Sequence, residues 1–597
     1  MASYEFIYSG TNYPLEPSSH SVYSGATGYS MRLSELSQAT DPRTANQLKE
    51  ASEHFNTGVK NIELSPIDPS VFESIPKDHL KEIHRLAKLT GAEISLHAPM
   101  IDPSGITEHG WNEINQGMAE RQLWSAVERS HDLNPKGNVP VTMHASTVPL
   151  PPAVFKIKGE DGEEVESVLL IDPNGTLKQI RKKEKFFPTE EGTPSKKFEP
   201  EKEIKRANKE NWIESLGQVN LYAQRGNEII REMQEKFGAL SQIKEIEKDN
   251  KSIGKLQEGI KRNLSHGALY LRDSYRTLKE LYDLAYKNAN SGDKQKMNAF
   301  AQRISPHVKK FEGIVEDPKE LKLFSDLIED GLDTLKNVQD PQILKPLREF
   351  AIDKASDTVS ELALKSHKKF GSTAPIISLE NHPAQTSTLT RAEDLRDVIK
   401  SARKKFIEKA KKDGIGSGEA EKAAEKLIGA TWDVGHINML RRYGYEKKDI
   451  IKESEKIAPF VKHIHLSDNF GHEHTELPMG MGNVPIKEIL QKLGKEGFNA
   501  RKVIEAGNWW QHFSPGGKSN PPLMPTLKAF GSPLYSMYMQ PAWRQTEDIS
   551  GGYFIGQGAI NPEYHHSIYG AGFTNLPKEL GGQMPGGASR ATGTPMA

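Results

Sequence analysis

Eight short apolar runs punctuate the chain, and most are too continuously hydrophobic to be half-exposed surface strands. They are SMRLSEL around Met31, KNIELSP ending at Pro66, AEISLHAP ending at Pro99, VPVTMHAS ending at Ser146, IISLENHP from Ile376, GATWDVGH ending at His436, VKHIHLSD ending at Asp468 and KVIEAG ending at Gly507. Runs of this kind read as strands covered on both faces. Helical periodicity lies between several of them. Asp41-Pro42 offers an N-cap and a first helical residue ahead of RTANQLKEASEHF, a pairing that suits a helix start. DHLKEIHRLAKLTG stops at Gly91, and GWNEINQGMAERQLWSAVERSHDL, RAEDLRDVIKSARKKFIEKAKK and IKEILQKLGKEG continue the series. Alternating strand and helix predicts parallel βαβ units, and eight strands close into a (β/α)₈ TIM barrel of the α/β class. Residues 1–150 supply the first half of the barrel, strands 1–4, and 371–525 the second half, strands 5–8.

The gap between these halves, residues 151–370, is too long for a loop and predicts an inserted module. It opens with hairpin pattern in VFKIKGEDGEEVESVLLIDPNGTLKQI, turning at Asp172-Pro173-Asn174-Gly175. Residues 181–209 hold ten Lys/Arg against six Glu, a mild excess that reads first as a solvated linker. From Asn208 to Lys369 the 3–4 spacing of Leu, Ile, Phe and Tyr is helical. Residues 526–597 form an irregular Gly/Pro-rich tail that cannot build a core alone. Insert and tail are the segments expected to mediate any self-association.

Composition removes several chemistries. The 597 residues include no cysteine, so disulfides, iron–sulfur clusters and thiolate catalysis are excluded, and any zinc site must use His, Asp and Glu. A formal net charge of -1 and a pI near 7.1 give no global field toward nucleic acid or a membrane. MASYEFIYSG lacks the basic and apolar regions of a signal peptide, and no apolar run reaches the ~18 residues of a membrane span. A cytoplasmic protein with no membrane partner is expected.

The chemistry-bearing residues end the apolar runs. His97, His144, Glu380, Asp433, His436, His465 and Glu505 stand there, and His474 and Glu476 follow in GHEHTELPMGMGN. A lone histidine after a strand is usually solvated or capped. Nine such residues at one barrel mouth would repel and desolvate one another, and a divalent cation relieves both costs. All nine are therefore candidate metal ligands. His463 shares a strand face with His465 one layer deeper and is read as orienting a ligand; Asp468 is read as supporting rather than ligating.

HIHLSDNFG followed by ELPMGMGNVPI, together with TWDVGH, SLENHP and VIEAG, resembles the xylose isomerase-like TIM barrels, the superfamily of endonuclease IV and of sugar and sugar-phosphate isomerases and epimerases. The resemblance covers about residues 30–150 and 371–515. It implies a core metal site at Glu380, Asp433, His465 and Glu505. The endonuclease IV branch implies two further metals, at His97 and His144 and at His436 with an Asp-x-His pair. That pair is His474-x-Glu476 here. The family's Gly-Glu-Gly is Gly480-Met481-Gly482, and a DNA-probing Tyr is replaced by Met100. The first activity so implied is phosphodiester hydrolysis, most simply of abasic DNA, with Zn²⁺ as the expected metal and Glu380 and Glu505 as catalytic residues. The alternative is isomerisation or epimerisation of a sugar or sugar phosphate on one Mn²⁺, Co²⁺, Zn²⁺ or Mg²⁺, with Glu380 and Glu505 as the acid/base pair.

Overall fold

The structure, a computed structural model, describes residues 36–56, 59–160, 162–182, 198–244, 251–311, 318–506 and 526. The tail beyond Thr526 and most of the run around Met31 lie outside these residues. Eight parallel strands form a closed barrel: β1 (Leu36–Ala39), β2 (Asn61–Leu64), β3 (Glu93–His97), β4 (Pro140–His144), β5 (Ile376–Glu380), β6 (Ile428–Asp433), β7 (Val461–Leu466) and β8 (Arg501–Ile504). Each pairs with its neighbours in the chain, and β1 closes against β8 through Leu36↔Lys502 and Gln38↔Ile504. The described first strand begins at Leu36, the last residue of the SMRLSEL run, whose other residues lie outside the described ones. The strand is LSQA, whose Ser37 and Gln38 are buried, and its polar letters hide it from a hydrophobicity reading.

The helices between strands bury one apolar stripe each against the barrel. α1 (Gln47–Asn56) starts later than Asp41-Pro42 suggests. The Asp41 carboxylate instead accepts the Arg43 backbone N–H at 3.0 Å and its guanidinium at 2.7 Å, closing a turn. α2 (Lys77–Thr90) buries Leu80, Ile83 and Ala87 and ends on Gly91 at φ 66°, a left-handed conformation that a Cβ disfavours. α3 (Glu113–Ser130) is capped by Asn112, whose side chain accepts the Asn115 N–H at 2.8 Å. α4 (Leu347–Phe370), α5 (Ala392–Lys412), α6 (Ser417–Leu427), α7 (Lys447–Ile457) and α8 (Ile486–Asn499) cover the second half. The core holds Leu64, Leu96, Met143, Leu379, Trp432 and Ile464 on the strands' outer faces, all 0% exposed.

The barrel interior is polar. Side chains alternate along a strand, so His97, His144, Glu380, Asp433 and His465 at the strand ends lie above Ser95, Thr142, Ser378, Thr431 and His463. Thr142 and Thr431 join across this lower layer at 2.9 Å, and all five of its members are buried.

Residues Glu184–Lys345 form a separate compact unit. Its helices Pro200–Lys244, Lys251–Asn288, Ser291–Ile304 and Pro318–Lys336 enclose their own core around Trp212, Val219, Leu271, Met297 and Phe324. This unit is narrower than the 151–370 segment. α4 and the antiparallel strands Val154–Gly159, Gly162–Ile171 and Leu177–Arg181 fall with the barrel. The turn at 172–175 joins the last two of these strands, with Asp172 accepting the Asn174 and Thr176 N–H groups at 2.9 Å. Among the described residues no helix is long and apolar enough to cross a membrane.

Candidate metal centre

All nine residues singled out in the sequence lie at the C-terminal end of the barrel strands or in the loop after β7. Strand register sets the first contacts: Glu380 pairs with His144 between β5 and β4, and Asp433 with His465 between β6 and β7. Glu380 is the hub. Its Oε2 lies 3.1 Å from His97 Nε2 and 3.4 Å from His144 Nε2, and its Oε1 lies 2.8 Å from His465 Nδ1. The same His465 Nδ1 is 2.7 Å from Glu505 Oε2. Donor atoms thus converge in four sets, in none of which His144 takes part: His97, Glu380 and His465; Glu380, Asp433, His465 and Glu505; His436, His474 and Glu476; and, one layer deeper, Glu63, His463 and His465.

The residues around these donors fix their orientation. His97 Nδ1 is 2.8 Å from the Ala98 carbonyl, so that nitrogen carries the proton and Nε2 is left facing Glu380. His436 Nδ1 donates likewise to the Asn381 carbonyl at 2.7 Å. Asn381 also clamps the Asp433 backbone, accepting its N–H at 2.9 Å and donating to its carbonyl at 3.0 Å. Asp433 accepts the His436 N–H at 2.6 Å and the Ser467 hydroxyl at 3.0 Å. Gly435 lies so close to Ser467 that a Cβ there would overlap its Oγ. Asp468 does not reach the donor sets. Its carboxylate takes the backbone N–H groups of Asn469, Gly480, Gly482 and Val484 at 2.8–3.0 Å, pinning the loop that carries His474 and Glu476. Glu476 sits at φ 44°, a conformation costly for a non-glycine residue.

Burial and crowding shift the titration of these groups. Burial pushes the Asp433 carboxyl up to about 7, with Glu505 and Glu380 adding to the effect. Burial and the nearby Glu505 raise Glu476 to about 8. Burial and the neighbouring His436 lower His474 to about 4 and His382 to about 3. His97 runs the other way, up to about 9, because its hydrogen bond and charge contact with Glu380 outweigh burial.

A divalent cation suits this donor set. Ligand atoms each about 2.0–2.2 Å from one ion stand roughly 3 Å from each other, and the contacts around Glu380 and His465 run from 2.7 to 3.4 Å. One N–H at His465 Nδ1 can serve only one of the two carboxylates beside it, and Glu505 Oε2 has no hydrogen-bond partner.

Two residues beside the donors carry no signal that singles them out in the sequence. Glu63 on β2 lies 2.9 Å from His463 Nε2 and 3.0 Å from His465 Nε2; in the sequence it is a lone carboxylate inside the apolar run KNIEL. His382 stacks edge-on to His144 with ring centres 5.3 Å apart, and it is the residue after Glu380-Asn381.

Residues 416–518 match the family described as xylose isomerase-like TIM barrel. The part of the chain that carries the last three barrel strands is thus similar to the xylose isomerase-like TIM barrels. An uncharacterized protein of Methanocaldococcus jannaschii, MJ1311, is 30% identical over 83 residues, which are 14% of this chain and 27% of that protein. The match therefore spans about a quarter of the relative's length. Solved structures similar to this chain include a D-tagatose 3-epimerase-like protein, at 13% identity over 79% of this chain and 89% of that one with a TM-score of 0.33. The E. coli 3-keto-D-glucoside 4-epimerase YcjR aligns at 9% identity over 83% and 97%, TM-score 0.34. D-psicose 3-epimerase of Clostridium cellulolyticum aligns at 9% over 78% and 83%, also TM-score 0.34.

Proposed function

We propose that this chain is a divalent-metal-dependent phosphodiester hydrolase with a multinuclear centre. The carrying observation is the division of Glu380: one oxygen faces His97 and His144, the other faces His465. A carboxylate shared between two donor sets is what two adjacent cations require, and a one-metal isomerase has no need of the first set. When bound, such cations polarise phosphate oxygens and make water a nucleophile near neutral pH.

The chain's own residues then divide the work. His97, His144 and Glu380 would hold one cation, Glu380, Asp433, His465 and Glu505 a second, and His436, His474 and Glu476 a third. With five imidazoles among nine donors, Zn²⁺ is favoured over Mg²⁺. Glu505, whose side chain is 23% exposed where the other carboxylates of the core are closed off, would accept the proton of the attacking water at its unpartnered Oε2. Asn381 and Asp468 hold the donors in place without meeting substrate.

A second reading has its own observation. Glu380 and Glu505 both approach His465 Nδ1, within 2.8 Å, so they flank the position one cation would take. That arrangement suits proton removal and return at neighbouring sugar carbons. Metal analysis of the purified chain, with an abasic-site duplex and a ketose panel as substrates, separates the readings. About three zinc ions per chain and duplex cleavage are expected; one metal and ketose turnover would replace the hydrolase by the epimerase.

A further inference from the structure

Beneath the donor sets lies a buried group that neither activity consumes. Glu63 is 1% exposed in the lower layer of the barrel. Its Oε2 accepts the Ser95 hydroxyl at 2.7 Å and faces His463 Nε2 at 2.9 Å. Its Oε1 lies 3.0 Å from His465 Nε2, on the opposite side of that ring from Glu380 and Glu505. His465 thus stands between one carboxylate below and two above. An unscreened carboxylate at this depth is retained only with compensation, and Ser95 and His463 supply it at Oε2 alone.

We infer that Glu63 is a positioning residue for the metal centre, fixing the His465 ring from its Nε2 side so that Nδ1 faces Glu380 and Glu505. His463 and Ser95 in turn hold Glu63. Were a cation held at Nδ1, Glu63 would stay as the neighbour of the ring's other nitrogen. The carboxylate steadies the ring and makes it a stronger donor, as partners behind metal-bound histidines do. A neutral glutamine at 63 has the same shape but can present its NH₂ to Nε2, which favours the tautomer that blocks Nδ1.

This inference rests on the metal-centre reading above, and metal binding tests it without any assay of turnover. Full-length wild type, Glu63→Gln and His463→Gln are stripped of metal and titrated with Zn²⁺ against a chromophoric chelator. The Co²⁺-loaded forms are compared by their visible absorption. Glu63→Gln is expected to weaken the tightest site 10- to 100-fold, about what losing such a partner costs, and to shift the Co²⁺ bands. His463→Gln should weaken it less. Wild-type affinity and an unchanged Co²⁺ spectrum in Glu63→Gln, whatever its melting temperature, would overturn the inference. If Glu63→Gln fails to fold, the same null result in His463→Gln overturns it. A wild type that binds no divalent cation would remove the metal-centre reading itself, an outcome distinct from equal binding by wild type and variant.

Discussion

His97 and His144 decide between the two chemistries, because the shared core of Glu380, Asp433, His465 and Glu505 does not include them. Replacing both with Ala empties the side of Glu380 that their Nε2 atoms face. In the hydrolase this removes one metal equivalent by elemental analysis and slows cleavage roughly a thousandfold or more, since a second cation is worth several kcal/mol and each 1.4 kcal/mol is tenfold. A metal count that does not change, with turnover intact, would favour the one-metal epimerase. Asp468 acts at one remove. Asp468→Ala strands four backbone N–H groups, and losing charge-assisted bonds to a buried carboxylate costs on the order of 3 kcal/mol. Lower melting temperature and faster amide exchange at Gly480 and Gly482 are expected. Wild-type protection at those amides would show that something else holds the loop.

Among elements, the N-terminus of α5 is tied to α7. The Glu453 carboxylate on α7 accepts the Arg391 guanidinium at 2.9 Å and the Ala392 N–H at 3.0 Å, and Lys456 approaches it at 2.7 Å. Burial would raise this carboxyl, but Arg391 and Lys456 outweigh it and hold it down at about 2, from an ordinary 4.5. A depressed acid adds stability that is complete above its unfolded value and is lost as pH falls toward the folded one. Glu453 should therefore contribute on the order of 3 kcal/mol at pH 7, at about 1.4 kcal/mol per unit, fading between roughly pH 4.5 and 2. Urea unfolding of wild type and Glu453→Gln at pH 7 and pH 3 reads this. The gap between them should shrink at pH 3, and a constant gap would mean the pair acts through shape and not charge.

At the scale of the whole molecule, the 184–345 unit has a hydrophobic core of its own, with Leu271, Leu321, Ile328 and Leu335 at 0% exposure. Long helices owe most of their stability to such packing. Residues 198–345 expressed alone should be strongly helical by circular dichroism and melt cooperatively. A non-cooperative melt would show that the unit depends on the rest of the chain.

The sequence by itself determined seven of the eight barrel strands, the helix stop at Gly91 and nine polar residues near the strand ends, because each rests on a local signal: an apolar run, a left-handed glycine, a charged letter after a hydrophobic stretch. The described part of β1 only meets its run at Leu36, and its Ser37 and Gln38 are polar yet buried by pairing with strands from both ends of the chain. The sequence missed the late start of α1, since Asp41 turned to Arg43 and not to the helix. Only the tertiary structure decided that Glu380 divides its oxygens between His97 and His465, residues 283 and 85 positions away. The same holds for Glu63, which meets a histidine 400 positions on. No periodicity encodes such contacts. They follow from barrel closure, which sets β2 and β7 across one interior and turns every second side chain toward it.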